Sequence, residues 1–204
     1  MSERVRAVIG LGANVGDAAA TIRDAIHALS SLPGAGLAAV SRLYVTAPVG
    51  VTDQPGFHNA VVLVDVPAGT DPETGALDLL VDLKAIERRF GRRQDRRWGP
   101  RVIDLDLEAF GSHAISVERP PEGRSLDVAT KGVTLLVVPH ASARARLFVL
   151  APWADVAPDQ WPPGWKESVA EARDRRQAVE DPEAVRAVAR WDASAACWSP
   201  LEAG

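Results

Sequence analysis

The sequence predicts an α+β fold in which strand, helix, strand, strand, helix and strand follow one another and build an antiparallel sheet backed by helices. Three observations carry that expectation. Two stretches repeat apolar residues at helical spacing, four others alternate or run apolar at strand length, and Gly, Pro, Asn or Asp stands at the joints. Val5, Ala7, Ile9 and Leu11 alternate as a first strand, which Gly12-Ala13-Asn14-Val15-Gly16-Asp17 closes; Gly10, Gly12 and Gly16 read as turn-formers near its end. Asp17 suits an N-cap, and Ile22, Ala25, Ile26 and Leu29 then repeat helically until Pro33-Gly34. A second strand is expected over Leu37–Val45, a long loop over Thr46–Gly56 and a third strand over Ala60–Val66. Leu79, Leu83, Ile86 and Phe90 predict a second helix from about Gly75 to Phe90, stopped by Gly91. The fourth strand is Asp104-Leu105-Asp106. This order is ferredoxin-like, βαββαβ, with helices on one face.

After Gly111 the pattern weakens. Ser112–Gly132 is polar, with Pro120–Arg124 expected as an exposed excursion, and Val133–Val138 is an apolar run ending at Pro139-His140. Beyond Pro158, Trp161, Trp165, Trp191 and Trp198 mark a change of composition, and Asp181-Pro182-Glu183 reads as a helix start with Ala184, Val185 and Val188 as its apolar face. The expected organisation is a domain over 1–159 and a C-terminal helical extension over 160–204, packed on the domain or on a partner subunit, giving a monomer or homodimer.

With 204 residues, a net charge of −4 and a pI near 5.6, the chain does not have the basic surface of a nucleic-acid binder. Its cations are concentrated: only Lys84, Lys131 and Lys166 are lysines, while seven arginines lie between Arg88 and Arg101. A lone Cys197 fits a reducing compartment, and the charged start of the chain and the lack of a spanning apolar stretch point to the cytoplasm rather than a membrane.

The chemistry is concentrated between Gly91 and Gly111. Arg92, Arg93, Arg96, Arg97 and Arg101 can fork onto phosphate oxygens. Asp104 and Asp106, two apart in a strand, share one face, with Ile103, Leu105 and Leu107 on the other. Two carboxylates held so close suit a hard cation such as Mg2+ that shares its shell with substrate phosphates. On a strand alone, Asp-x-Asp is more often a solvated face, and a basic run can simply end a helix, which suffices for Arg88 and Arg89 but not for arginines past Gly91. The glycine cluster lacks Gly-x-Gly-x-x-Gly spacing, and no Gly-x-x-x-x-Gly-Lys loop exists. A rival reading is a single-stranded RNA module, which the acidic balance opposes; another is an inactive scaffold acting through the tryptophan-rich tail.

Four blocks resemble the 6-hydroxymethyl-7,8-dihydropterin pyrophosphokinase family: Gly10-Leu11-Gly12-Ala13-Asn14-Val15-Gly16-Asp17; Thr46-Ala47-Pro48-Val49-Gly50 with Asp53–Ala60; Arg97-Trp98-Gly99-Pro100-Arg101-Val102-Ile103-Asp104-Leu105-Asp106; and Val138-Pro139-His140 with Phe148–Pro152. The resemblance covers Val5–Asp159. It implies a ferredoxin-like fold with long catalytic loops and transfer of diphosphate from ATP to a reduced pterin, with no nucleic-acid or membrane partner. By similarity, Asp104 and Asp106 hold two Mg2+ ions. Arg92 and Arg101 neutralise the migrating group, while Arg97, His140 and Arg146 surround the nucleotide phosphates. Leu80, Glu87 and Leu107 match the nucleotide pocket. Phe57 and Phe148 sandwich the pterin, Asn59 hydrogen-bonds its edge, the backbone around Thr46, Ala47 and Val49 reads the rest, and Trp98 closes over the site. Gln94, Val137 and Ala141 depart from the family pattern where an arginine, a hydroxyl and an aromatic are common.

Overall fold

Strand β1 (Arg4–Ala13) is the middle of the chemical half of the sheet. The computed structural model describes residues 3–46, 55–91, 101–124, 134–181 and 183–201. β1 is followed by α1 (Ala18–Ser30), β2 (Gly36–Val40), β3 (Leu43–Thr46), β4 (Phe57–Pro67), α2 (Pro72–Arg89) and β5 (Asp104–Phe110). β1 pairs antiparallel with β4 on one side and β5 on the other, and β2 and β3 pair with successive stretches of β4. Asp17 caps α1 by accepting the Ala20 N–H at 3.0 Å, and Asp71 caps α2 by accepting that of Thr74 at 2.9 Å. α2 therefore starts earlier than its apolar repeat suggests, because Asp71-Pro72 supplies the cap and a preset first turn.

The expected second strand is two strands. At the break, the Ser41 hydroxyl accepts the Val61 N–H at 2.9 Å and donates to the Arg42 carbonyl at 2.7 Å, so a side chain takes over part of the ladder. The expectation of helices on one face is also corrected. α1 and α2 cover one face through Ile22, Ile26, Leu79 and Leu83, but α3 (Leu147–Val156) and α4 (Val169–Gln177) cover the other through Val149, Trp153 and Val169. β4 accordingly divides its apolar residues, with Ala60, Val62 and Val64 in one cluster and Val61 and Leu63 in the other, as a strand covered on both faces must.

β6 (Ile115–Glu118) and β7 (Leu135–Val138) form a separate two-stranded ribbon. The Pro120–Arg124 segment is exposed at Pro121, Glu122 and Arg124, as expected, but it is anchored. Its 3-10 turn at Pro121–Gly123 docks on α2, where Arg88 donates to the Glu122 carbonyl at 2.9 Å and a Cβ on buried Gly123 would lie 3.1 Å from Leu80.

The segment after Asp181 is a strand, not the expected helix. β8 (Val185–Asp192) pairs with β3, and β9 (Cys197–Pro200) pairs with β8. Asp181 accepts the Glu183 N–H in a local turn instead of capping a helix, and the open edge of β3 decides the conformation of a weakly patterned stretch. The hairpin closes on α1: Trp191 and Trp198 meet edge-on at 4.9 Å, Trp198 donates to the Ala19 carbonyl at 3.1 Å, and a ring nitrogen of His27 bonds the Ala196 carbonyl at 2.9 Å. Among the described residues no helix is long and apolar enough to cross a membrane.

Truncation after Glu180 is expected to lower the Tm and to cause concentration-dependent self-association by sedimentation, because the β3 edge loses its partner. An unchanged Tm and a monodisperse product would show that the hairpin contributes nothing.

Candidate active site

The floor of the site is a bare row across three strands. Gly12 pairs with Asn59 on β4 and with Asp104 on β5, and Gly10 pairs with Val61 and Asp106. Both glycines lie within the ladder, which corrects their reading as turn-formers; of the three, only Gly16 has a positive φ, +63°. A Cβ on Gly12 would lie 3.4 Å from the Asn59 Oδ1, and one on Gly10 2.8 Å from the Glu108 Oε1. With strands about 4.8 Å apart, Asn59 and Asp104 stand roughly 10 Å from each other across open backbone.

On the β5 side, Ile103, Leu105 and Leu107 are buried toward α1 and α2, and Asp104 and Asp106 are partly exposed on the opposite face. The strand is held from outside by a buried ion pair. Glu87 accepts the Leu105 N–H at 2.8 Å, Lys84 donates to the Leu105 carbonyl at 2.9 Å, and the two charges meet at 2.7 Å. Leu105 lies between the two aspartates, so this clamp sets their height over the sheet. Arg101 pairs with Asp104. Its backbone is tied to Asn14, whose side-chain oxygen accepts the Arg101 N–H at 2.7 Å and whose N–H donates to the Arg101 carbonyl at 3.0 Å.

Around these carboxylates stand His140, Arg119 and Arg146. Arg119 is partly buried, with Nε donating to the Leu135 carbonyl at 2.9 Å; burial lowers its pKa, against the opposing fields of Asp106 and Glu87. His140 is pushed down by burial, against the raising field of Asp106, with Arg146 and Arg119 adding to the depression. Glu108, fully buried beside it, is pushed well up by burial and by Asp106.

On the β4 side, Asn59 donates to the Thr46 hydroxyl at 3.0 Å, which leaves its carbonyl oxygen over Gly12. Phe57 shares the alternation of Asn59 and Val61, and Phe148, at the start of α3, packs against the cluster that holds Val61. The Arg146 guanidinium lies 5.7 Å from the Phe148 ring centroid.

The expected residues are thus placed as follows. Asp104, Asp106, Thr46, Asn59 and Phe57 lie along adjacent strands and Arg101 just before β5, with His140, Arg146 and Phe148 on the segment that covers the same face. The side chains of Leu80, Glu87 and Leu107 are buried, Leu80 and Leu107 in the core and Glu87 in the clamp. Ala47, Val49, Arg92, Arg97 and Trp98 lie outside the described residues. Sequence reasoning missed Asn14, Lys84, Glu108 and Arg119. Glu108 was signalled, being the next tooth of the Asp104-x-Asp106-x-Glu108 alternation.

Bare backbone between an amide and a pair of carboxylates, with cations around the carboxylates, defines an enzyme site for a flat polar substrate and a polyphosphate. A profile of the 7,8-dihydro-6-hydroxymethylpterin-pyrophosphokinase family matches residues 8–158. The 2-amino-4-hydroxy-6-hydroxymethyldihydropteridine pyrophosphokinase of Methylorubrum extorquens is 41% identical over 154 residues, covering 76% of this chain and 84% of the relative. That of Pseudomonas aeruginosa is 40% identical, covering 76% and 82%. The crystal structure of the wild-type Plasmodium falciparum HPPK-DHPS with pteroate aligns with a TM-score of 0.70 at 16% identity, over 98% of this chain and 48% of that one, which bears on the fold alone. The chain belongs to the 7,8-dihydro-6-hydroxymethylpterin-pyrophosphokinase family.

Replacing Lys84 by Met removes the cation that Glu87 meets in its buried pair, and is expected to cost about 3–5 kcal/mol in urea unfolding. A loss under about 1 kcal/mol would show that the clamp is dispensable. Burial lowers the pKa of His58, partly opposed by Asp17, and encloses its Nδ1 without a partner. With the folded value below the unfolded 6.5, the unfolded chain binds the proton first, so this contribution is complete above pH 6.5 and is lost as pH falls below it. Urea midpoints of His58→Gln are expected to fall less steeply than wild type below pH 6.5; parallel slopes would refute this.

Proposed function

We infer that this chain carries the family's reaction: the terminal diphosphate of ATP moves as one unit onto the hydroxymethyl oxygen of 6-hydroxymethyl-7,8-dihydropterin, releasing AMP, in the synthesis of folate. The substrate hydroxyl attacks the β-phosphorus, the bond from that phosphorus to the α,β-bridging oxygen breaks, and the bridging oxygen leaves with AMP. Such a transfer needs positioning and charge neutralisation from the protein. The observation that carries the reading is the row Asn59–Gly12–Asp104, which puts a pterin-type anchor and a phosphate-type anchor on one bare floor.

The donor set fits magnesium. Among the described residues no three His, Cys, Asp or Glu side chains form a cage of their own. Asp104 and Asp106 offer two carboxylates on one face, which suits an ion that completes its shell with substrate phosphates and water. When bound, Mg2+ would screen the triphosphate and polarise the reacting oxygens; two ions is our expectation. Arg101, tied down by Asn14, neutralises charge on the migrating group, and His140, Arg119 and Arg146 hold the nucleotide phosphates. Asn59, oriented by Thr46, reads the pterin edge, and Phe57 and Phe148 hold its faces. Arg92, Arg97 and Trp98 are assigned to the same site from the resemblance, as are the Ala47 and Val49 backbones. Residues 1–159 form the pyrophosphokinase domain on this reading, a ferredoxin-like arrangement by its β5-β1-β4-β3 order, and 160–204 an extension of its sheet. We place the chain in the cytoplasm.

A mass-resolved assay with ATP, Mg2+ and the pterin is expected to yield AMP and pterin diphosphate in equal amounts; ADP as the nucleotide product would refute diphosphate transfer. Asp104→Asn and Asp106→Asn are each expected to lower kcat by more than about a thousandfold, ~4 kcal/mol in barrier, with Tm near wild type. Retention of a tenth of the rate by either would remove that carboxylate from the metal site.

A further inference from the structure

Glu108 stands where the ladder between β1 and β5 slips. Val8 pairs with Ala109 and Ile9 with Leu107, so Glu108 is an extra residue with no partner on β1, a β-bulge. The bulge turns two successive residues to one face: Ala109 packs with Val8 and Trp153, whereas Leu107 and Phe110 pack in the opposite cluster. Glu108 is thereby kept on the face of Asp104 and Asp106. Its carbonyl, freed from the ladder, accepts the His140 N–H at 2.9 Å. Its side chain follows: Oε2 lies 3.7 Å from the His140 Nδ1, and both atoms are buried without a hydrogen-bond partner. Glycine at position 10 leaves this carboxyl its space, since a Cβ there would lie 2.8 Å from Oε1 and displace it.

A carboxyl that is 1% exposed and whose Oε2 lacks a hydrogen bond is costly, and an aliphatic side chain would fill the same volume without that cost. Its ion-pair neighbour is His140, whose Nδ1 edge is enclosed while the ring remains 25% exposed, so the open edge is the one that carries Nε2.

We propose that Glu108 is a positioning residue for His140, holding the imidazole by its Nδ1 edge so that the Nε2 edge faces the nucleotide phosphates. This rests on the nucleotide-side placement of His140 given above. A carboxyl group 3.7 Å from Nδ1, on the residue whose carbonyl also accepts the His140 N–H, fixes the rotation of the ring and with it the direction of Nε2. Contacts of this length commonly tighten when substrate binds.

The test is steady-state kinetics of the full chain with Mg-ATP and 6-hydroxymethyl-7,8-dihydropterin, alongside thermal unfolding. Variants are Glu108→Leu, Glu108→Gln, His140→Ala and the double variant Glu108→Leu/His140→Ala. Glu108→Leu is expected to raise the KM for ATP about tenfold, leave the KM for pterin unchanged and raise the Tm by about 2–4 °C. Glu108→Gln, which keeps the shape and a donor for Nδ1, is expected to recover most of the ATP affinity, and the double variant to be no worse than His140→Ala. An unchanged ATP KM in Glu108→Leu while His140→Ala raises it, or losses that add in the double variant, would overturn the proposal. No effect of His140→Ala would instead remove His140 from the nucleotide side, and the proposal with it. Should Glu108→Leu fail to fold, Glu108→Met decides by the same pairing: a raised ATP KM that does not add to that of His140→Ala supports the proposal, and an ATP KM near wild type beside an impaired His140→Ala overturns it.

Discussion

The placement of the acidic pair depends on how β5 is held. Among the described residues β5 has a ladder partner on one side, β1, and the outward backbone groups of Leu105 are taken by Glu87 and Lys84. A terminal strand without such a clamp is free to twist and fray. With it, Asp104 and Asp106 are fixed between a ladder on one side and a buried ion pair on the other. The clamp also joins α2 to β5, so the helix that forms half of one core cluster is the element that sets the height of the carboxylates on the opposite face.

The second constraint is the emptiness of β1. Gly10 and Gly12 carry no side chain on the face shared by Asn59, Asp104 and Asp106, and a Cβ at Gly10 would crowd the Glu108 carboxyl. A sheet normally packs that face. Here α3 covers the far end through Val149 and Trp153, and the glycine end stays open, so one face is divided between core and site. The division explains why β4 is apolar on both sides up to Asn59 and becomes polar there.

Two buried carboxylates illustrate different uses of charge. Glu87 is matched by a lysine and by the Leu105 N–H, and its burial stabilises the geometry of β5. Glu108, at the other end of the same strand, has no hydrogen bond to its Oε2 and sits on a bulge. Groups that strain a fold persist where they act, and the histidine beside Glu108 is the group on which it can act.

Much of this was legible locally. The apolar repeats of α1 and α2, the Asp17 cap, and the alternation that separates Asp104 and Asp106 from Leu105 and Leu107 all follow from periods of 3.6 and 2 and from the chemistry of single residues. Long-range pairing left no such mark. Val185–Asp192 is a strand because β3 offers it an edge, Ser41 breaks a strand because Val61 is there to bond its hydroxyl, and Gly10 and Gly12 form a floor because Asn59 and Asp104 lie on either side. Nothing in the sequence marks Lys84 and Glu87 as a buried pair, which exists only once β5 is laid against α2. Side-chain periodicity belongs to one element, whereas register, bulges and the partners of a buried charge are properties of two elements in contact, and those contacts exist only once the chain has folded.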